Sequence, residues 1–114
     1  MSRQNLLLSA PPYAVEQTLK RLGANLRTAR LRRNLTIHEI AQKIGTGPRA
    51  VLDAEKGKPS TSIGVYAGLL WALELLGQLD AVADPLGDEA GRALASSRER
   101  SRARRSSGGL SDDF

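Results

Sequence analysis

The run Leu35–Gly57, LTIHEIAQKIGTGPRAVLDAEKG, forces two short helices against a tight turn. Thr36 and Glu39 form a capping box: the hydroxyl covers one orphan N–H of a new helix and the carboxylate reaches back to another. The spacing predicts a helix from Ile37 to about Ile44, with Ile40, Ala41 and Ile44 inward. Gly45 stops it. Thr46 or Gly47 starts the next helix, whose first turn suits Pro48 because a missing N–H costs nothing there. Val51 and Ala54 face the core, and Gly57 and Pro59 end the segment.

The flanks are also helical in pattern. Met1–Ala10 is expected to be flexible, with Asn5–Ser9 able to pair as a short strand. After Pro11 and Pro12, apolar Val15, Leu19, Leu22, Leu26 and Ala29 recur at helical spacing, giving a helix from Tyr13 to Arg33. Gly23 marks a kink or a close approach in it, and Asn34 tolerates the left-handed conformation at its end. A fourth helix is expected from Thr61 or Ser62 to about Leu76; it reads IGVYAGLLWALELL with Glu74 as its only charge. A helix apolar on every face must be buried on every face. In a chain of this size the simplest cover is a symmetry mate. The expected homodimer interface is Val65, Leu69, Trp71, Ala72, Leu75, Leu76, Leu79 and Val82, completed by a short fifth helix over Gln78–Ala83. Asp84-Pro85 ends that helix, and Asp88 caps a last one from Glu89 to about Ser97.

The expected fold is therefore all-α, five to six short helices. Residues 1–12 form an N-terminal arm, 13–97 the folded and dimerising domain, and 98–114 a basic, Arg/Ser-rich tail that is disordered when free. With no cysteine and a single histidine, His38, neither a disulfide framework nor a multi-ligand metal site is expected. No nucleophile–base set is visible, and the GTGP turn lacks the Gly-Lys-Ser/Thr ending of a phosphate loop. No enzyme activity and no cofactor are expected. No apolar run approaches the roughly 20 residues of a membrane span, so the chain reads as cytoplasmic. The net charge of +5 is unevenly spread. Residues 1–34 are basic with Glu16 as the one acid, residues 61–95 are acidic with Arg92 as the one base, and the tail is basic again. That asymmetry suggests one surface for phosphate and another for protein, against the plainer reading of ordinary solvated charge.

LGANLRTARLRRNLT, EIAQKIGT and AVLDAEKGK together resemble the Xre/Cro-type, phage-repressor-like helix-turn-helix over about residues 22–76. The continuation PSTSIGVYAGLLWALELLGQLDAVADP, with an acidic short helix and a basic tail, is similar to HipB-like antitoxins. The resemblance implies a dimeric DNA-binding repressor that neutralises a HipA-like kinase toxin. It also implies a structural salt bridge between Arg30 in the first helix and Glu55 at the end of the third.

A helix-turn-helix places its second helix in the major groove. The residues expected to face bases are Thr46, Gly47, Pro48, Arg49, Ala50 and Asp53. Arg49 can bond guanine O6 and N7 together, or contact phosphate; Asp53 accepts from cytosine or orients Arg49 from four residues on. Lys43, Lys56, Lys58, Arg32 and Arg33, with the helix starts after Thr36 and Ser62, are candidates for phosphate, and His38 lies near the backbone. Ile37, Gly47-Pro48 and Leu52 depart from the polar residues usual in the family, which leaves a sparse reading surface.

In the tail, Leu110 and Phe114 either dock on a partner or are a terminus without a role. Three functions stay open. The first is a DNA-binding repressor doubling as an antitoxin on a palindromic operator. The others are a free-standing phage-type or metabolic repressor, and a protein–protein adaptor that has lost specific DNA binding.

Overall fold

A computed structural model describes residues 5–108. Its described residues form six α-helices and two 3-10 helices, with no strand. The chain divides into two compact units, one ending at Leu79 and one beginning at Asp80. The division falls inside the span 13–97.

In the first unit, α1 is a single turn, Leu6–Ser9. The strand expectation for Asn5–Ser9 is thereby corrected. Asn5 caps the turn, its side-chain oxygen accepting from the Leu7 N–H at 3.0 Å, and a local cap of this kind pulls the backbone away from extended geometry. Helix α2 runs Tyr13–Arg32 and Asn34 follows it at φ +58°. Helix α3 is Ile37–Ile44, α4 is Pro48–Glu55 and α5 is Ile63–Ala72.

The core forms where α2, α3, α4 and α5 meet. Ile40, Val51, Leu69 and Leu73 are almost completely enclosed, with Leu26, Ala41, Ala54, Tyr66, Leu70 and Ala72 around them. Helix α4 touches three neighbours and gives up its whole Val51/Ala54 side to this core. At Gly23, α2 presses on the end of α4: a Cβ there would lie 2.5 Å from the Glu55 carbonyl oxygen. Of the two readings for Gly23, close approach is the one found.

The fourth expected helix stops earlier than its composition suggests. Glu74 takes φ +63°, and the Leu75 N–H donates back to the Leu70 carbonyl at 2.7 Å. This is a glycine-type termination made without glycine, so no residue type announces it. The chain then continues as a 3-10 helix over Leu76–Ala81.

The second unit holds a 3-10 turn, Pro85–Gly87, capped by Asp84, and helix α6, Glu89–Gly108. Asp88 Oδ1 accepts from the Gly91 N–H at 2.9 Å near the start of α6. The helix runs past the expected end near Ser97. Arg, Ala and Glu are good helix formers, so propensity carries it on. Through Ser106 every side chain of α6 is exposed, and Gly91 is only half-buried. Leu110 and Phe114 lie outside the described residues.

The capping box closes the start of α3. Thr36 Oγ1 accepts from the Glu39 N–H at 3.1 Å, and Glu39 Oε1 accepts from the Thr36 N–H at 2.8 Å. The backbone bond from Thr36, then its side chain, holds the Glu39 carboxyl below the usual carboxylate range. A lowered carboxyl pKa stabilises the fold above the unfolded-state value and loses that contribution as pH falls through the folded-state value. Thr36→Ala is expected to cost about 1 kcal/mol in urea unfolding at neutral pH, and Glu39→Gln, which removes the titrating carboxylate, to flatten the acid limb of the stability curve. An unchanged midpoint and acid limb would show that the box contributes nothing.

Candidate nucleic-acid interface

The α3–α4 turn is built by backbone chemistry. Gly45 adopts φ +80°, and the Gly45 and Thr46 N–H groups both donate to the Ala41 carbonyl at 3.0 Å. Gly47 is extended and Pro48 opens α4, so no side chain caps that helix. The first N–H groups of α4 accordingly have no intrahelical partner and form the positive end of its dipole.

With Val51 and Ala54 inward, the outward stripe of α4 is Arg49, Leu52 and Asp53, continued by Lys56 at its C-cap. The Arg49 side chain is 74 % exposed. Its Nε lies 3.6 Å from Asp53 Oδ1, and Lys58 Nζ lies 3.2 Å from the same oxygen. Asp53 thus sits between two cations, in a position to orient Arg49. The Lys58 contact crosses the end of α4, five residues on, where helical spacing gives no hint of it. Gly47 and Pro48 are exposed, Thr46 and Ala50 half-buried, and Leu52 is 38 % exposed.

The remaining candidates fall around this stripe. His38 is exposed in the first turn of α3. Lys43, at its other end, places its Nζ 6.0 Å from the centre of the Trp71 ring, a cation–π contact rather than a free cation. The hydroxyl oxygens of Thr36 and Ser62 accept from the Glu39 and Val65 N–H groups, so both residues act first as caps. Arg32 and Arg33 line an open cleft with Asn25, Thr28 and Gln78, and Arg33 Nη1 donates to the Ala29 carbonyl at 2.9 Å.

Behind the stripe lies the buried pair. Arg30 Nε donates to Glu55 Oε2 at 2.6 Å and Nη2 to Oε1 at 3.0 Å, while Nη1 donates to the Leu35 carbonyl at 2.8 Å. The two side chains are 9 % and 6 % exposed. Hydrogen bonding to Glu55 raises the Arg30 pKa further above its ordinary value, outweighing the opposing effect of burial. A planar guanidinium gripping a carboxylate with two bonds fixes orientation as well as distance. Here it ties α2, the α2–α3 link and the end of α4 together.

The expected dimer surface divides by burial. Leu69 and Ala72 are 1 % and 5 % exposed inside the chain's own core, and their assignment to an interface is corrected: a helix apolar all round has no pattern to say which face turns inward. Val65, Leu75 and Leu79 pack half-buried against that core. Trp71, 54 % exposed, and Leu76, 38 %, remain open. Val82 is exposed in the second unit.

Residues 26–69, from the middle of α2 into α5 and less than half the chain, match the model of the helix-turn-helix family. Comparison with curated proteins and with solved structures gives no match. The matched span holds the turn, the Arg30–Glu55 pair and the outward stripe of α4. It points to a DNA-binding transcriptional regulator. Among the described residues no helix is long and apolar enough to cross a membrane.

Proposed function

We propose, from the premise of a helix-turn-helix domain over residues 26–69, that the chain is a homodimeric, sequence-specific transcriptional repressor. The observation that carries this reading is Arg49, held out on the first turn of α4 with Asp53 behind it. A guanidinium so placed can meet guanine O6 and N7 in the major groove. The open N–H groups of α4, with Lys56 and Arg32, would take phosphate. Trp71 and Leu76 support pairing of two copies, which would set two half-sites about one helical turn, roughly 34–36 Å, apart.

The test is footprinting of the chain on its own promoter across a salt series. Protection of a two-fold symmetric site is expected, with log affinity falling against log salt at a slope of about −5 for some six neutralised phosphates. Arg49→Ala should weaken operator binding by about 1–3 kcal/mol and leave random DNA nearly unaffected. A chain that protects no site would instead be a protein–protein adaptor on the same fold.

The antitoxin role rests on the sequence resemblance to HipB-like proteins. It requires a HipA-like kinase that co-purifies with the chain from its host and whose gene lies beside it. If neither is found, the reading reduces to a free-standing repressor.

A further inference from the structure

Helix α6 presents a pattern that the helix-turn-helix does not use. Between Arg98 and Arg105 it carries Arg98, Arg100, Arg102, Arg104 and Arg105 against Glu99 alone. Through Ser106 all its side chains are exposed, apart from half-buried Gly91. Packing of a buried face is what normally holds a protein helix, and through Ser106 this one has none, its neighbour being the 3-10 turn at Pro85–Gly87. The arginines also repel one another at helical neighbour positions, 98 with 102, 100 with 104, and 102 with 105. A helix of this kind gains most from a dense, regular array of negative charge.

The arrangement is more specific than net charge. At 3.6 residues per turn, Arg98, Arg102 and Arg105 fall within about 60° of each other, with Arg100 and Arg104 on the far side. A helix about 10–12 Å across carries cations on two opposite flanks. The major groove of a duplex is about 12 Å wide and walled on both sides by phosphates. Arg98 to Arg105 spans about 10 Å of axis, beside which duplex DNA carries about six charges. No apolar stripe on α6 offers an alternative face to a folded partner: Leu94 alone of its large apolar residues is present, and it precedes the cluster.

We propose that α6 is a second, sequence-independent DNA contact, a helix that lies along a duplex groove and binds its phosphates through Arg98, Arg102 and Arg105 on one flank and Arg100 and Arg104 on the other. It builds on the DNA-binding reading above but does not need an operator. Carried on the same chain as the helix-turn-helix, it raises the local concentration of each DNA contact for the other.

The test uses the full chain with the triple variant R98Q/R102Q/R105Q, which alters no buried side chain, and with E99Q. Binding to a random-sequence 25-base-pair duplex is measured from 50 to 200 mM salt. The triple variant should bind at least about tenfold more weakly at low salt, with the salt slope reduced by about 2–3. Glu99→Gln should bind more tightly than the parent chain. Equal affinity and slope for parent and triple variant would overturn the proposal. So would α6-dependent binding to polyglutamate but not to duplex, which would assign α6 to an acidic protein surface. Loss of the promoter footprint with α6-dependent random binding intact removes the operator reading only. The converse result removes α6 only.

Discussion

Glu55→Ala is expected to lower the unfolding free energy by about 3–5 kcal/mol. The loss is large because the substitution leaves Arg30, 9 % exposed, without the carboxylate that accepts two of its bonds. An uncompensated buried charge costs far more than the intact pair contributes, since the pair has already given up the hydration of both ions. For a domain of this size such a change moves the thermal midpoint by at least about 12 °C. Leucine at 55 combined with methionine at 30 should recover much of the loss, because the cost lies in the isolated charge and not in the missing attraction. Thermal and urea unfolding of Glu55→Ala and of the double variant Arg30→Met/Glu55→Leu measure this directly. A Glu55→Ala chain that melts with the parent would remove the clamp from the account of the fold.

The second large effect belongs to Gly57. It takes φ +70°, and a Cβ there would press into the Leu19 carbonyl of α2. Left-handed backbone costs a residue with a side chain roughly 1–2 kcal/mol. Overpacking adds about 1–3 kcal/mol, and here the neighbour is backbone, which cannot step aside as a flexible side chain would. Gly57→Ala should therefore destabilise by roughly 2–5 kcal/mol. Gly45 supplies the control. Its φ is +80°, but a Cβ would meet nothing within 4 Å, so Gly45→Ala should show the backbone cost alone. Equal losses at the two positions would mean that the α2 contact is not tight.

These two positions also show what the sequence could and could not disclose. The capping box at Thr36 and Glu39, the stop at Gly45 and the start at Pro48 depend on neighbours in sequence, and they are legible there. The close approach at Gly57 depends on Leu19, far along the chain, so the glycine reads only as a terminator. Arg30 and Glu55 are also far apart in sequence, 25 residues, and it is the family resemblance that brings them together. The end of α5 was hidden for a different reason: Glu74 adopts a backbone state its residue type disfavours, enforced by tertiary context. The stretch of α6 beyond Ser97 is not legible, because a charged, serine-rich sequence offers no periodic apolar signal, although many of its residues favour helix.

The two ends of α4 are constrained in opposite ways. Its C-terminal end is locked by Gly23 and Gly57 against backbone and by Glu55 in the bidentate pair. At its N-terminal end Gly47 has open space around it, and Arg49 projects into solvent. Substitutions at the leading turn are therefore expected to leave the fold intact, whereas those at Gly23, Gly57 or Glu55 should destabilise it. A scaffold locked at one end of a helix and open at the other can change its exposed surface one substitution at a time while staying folded at every step.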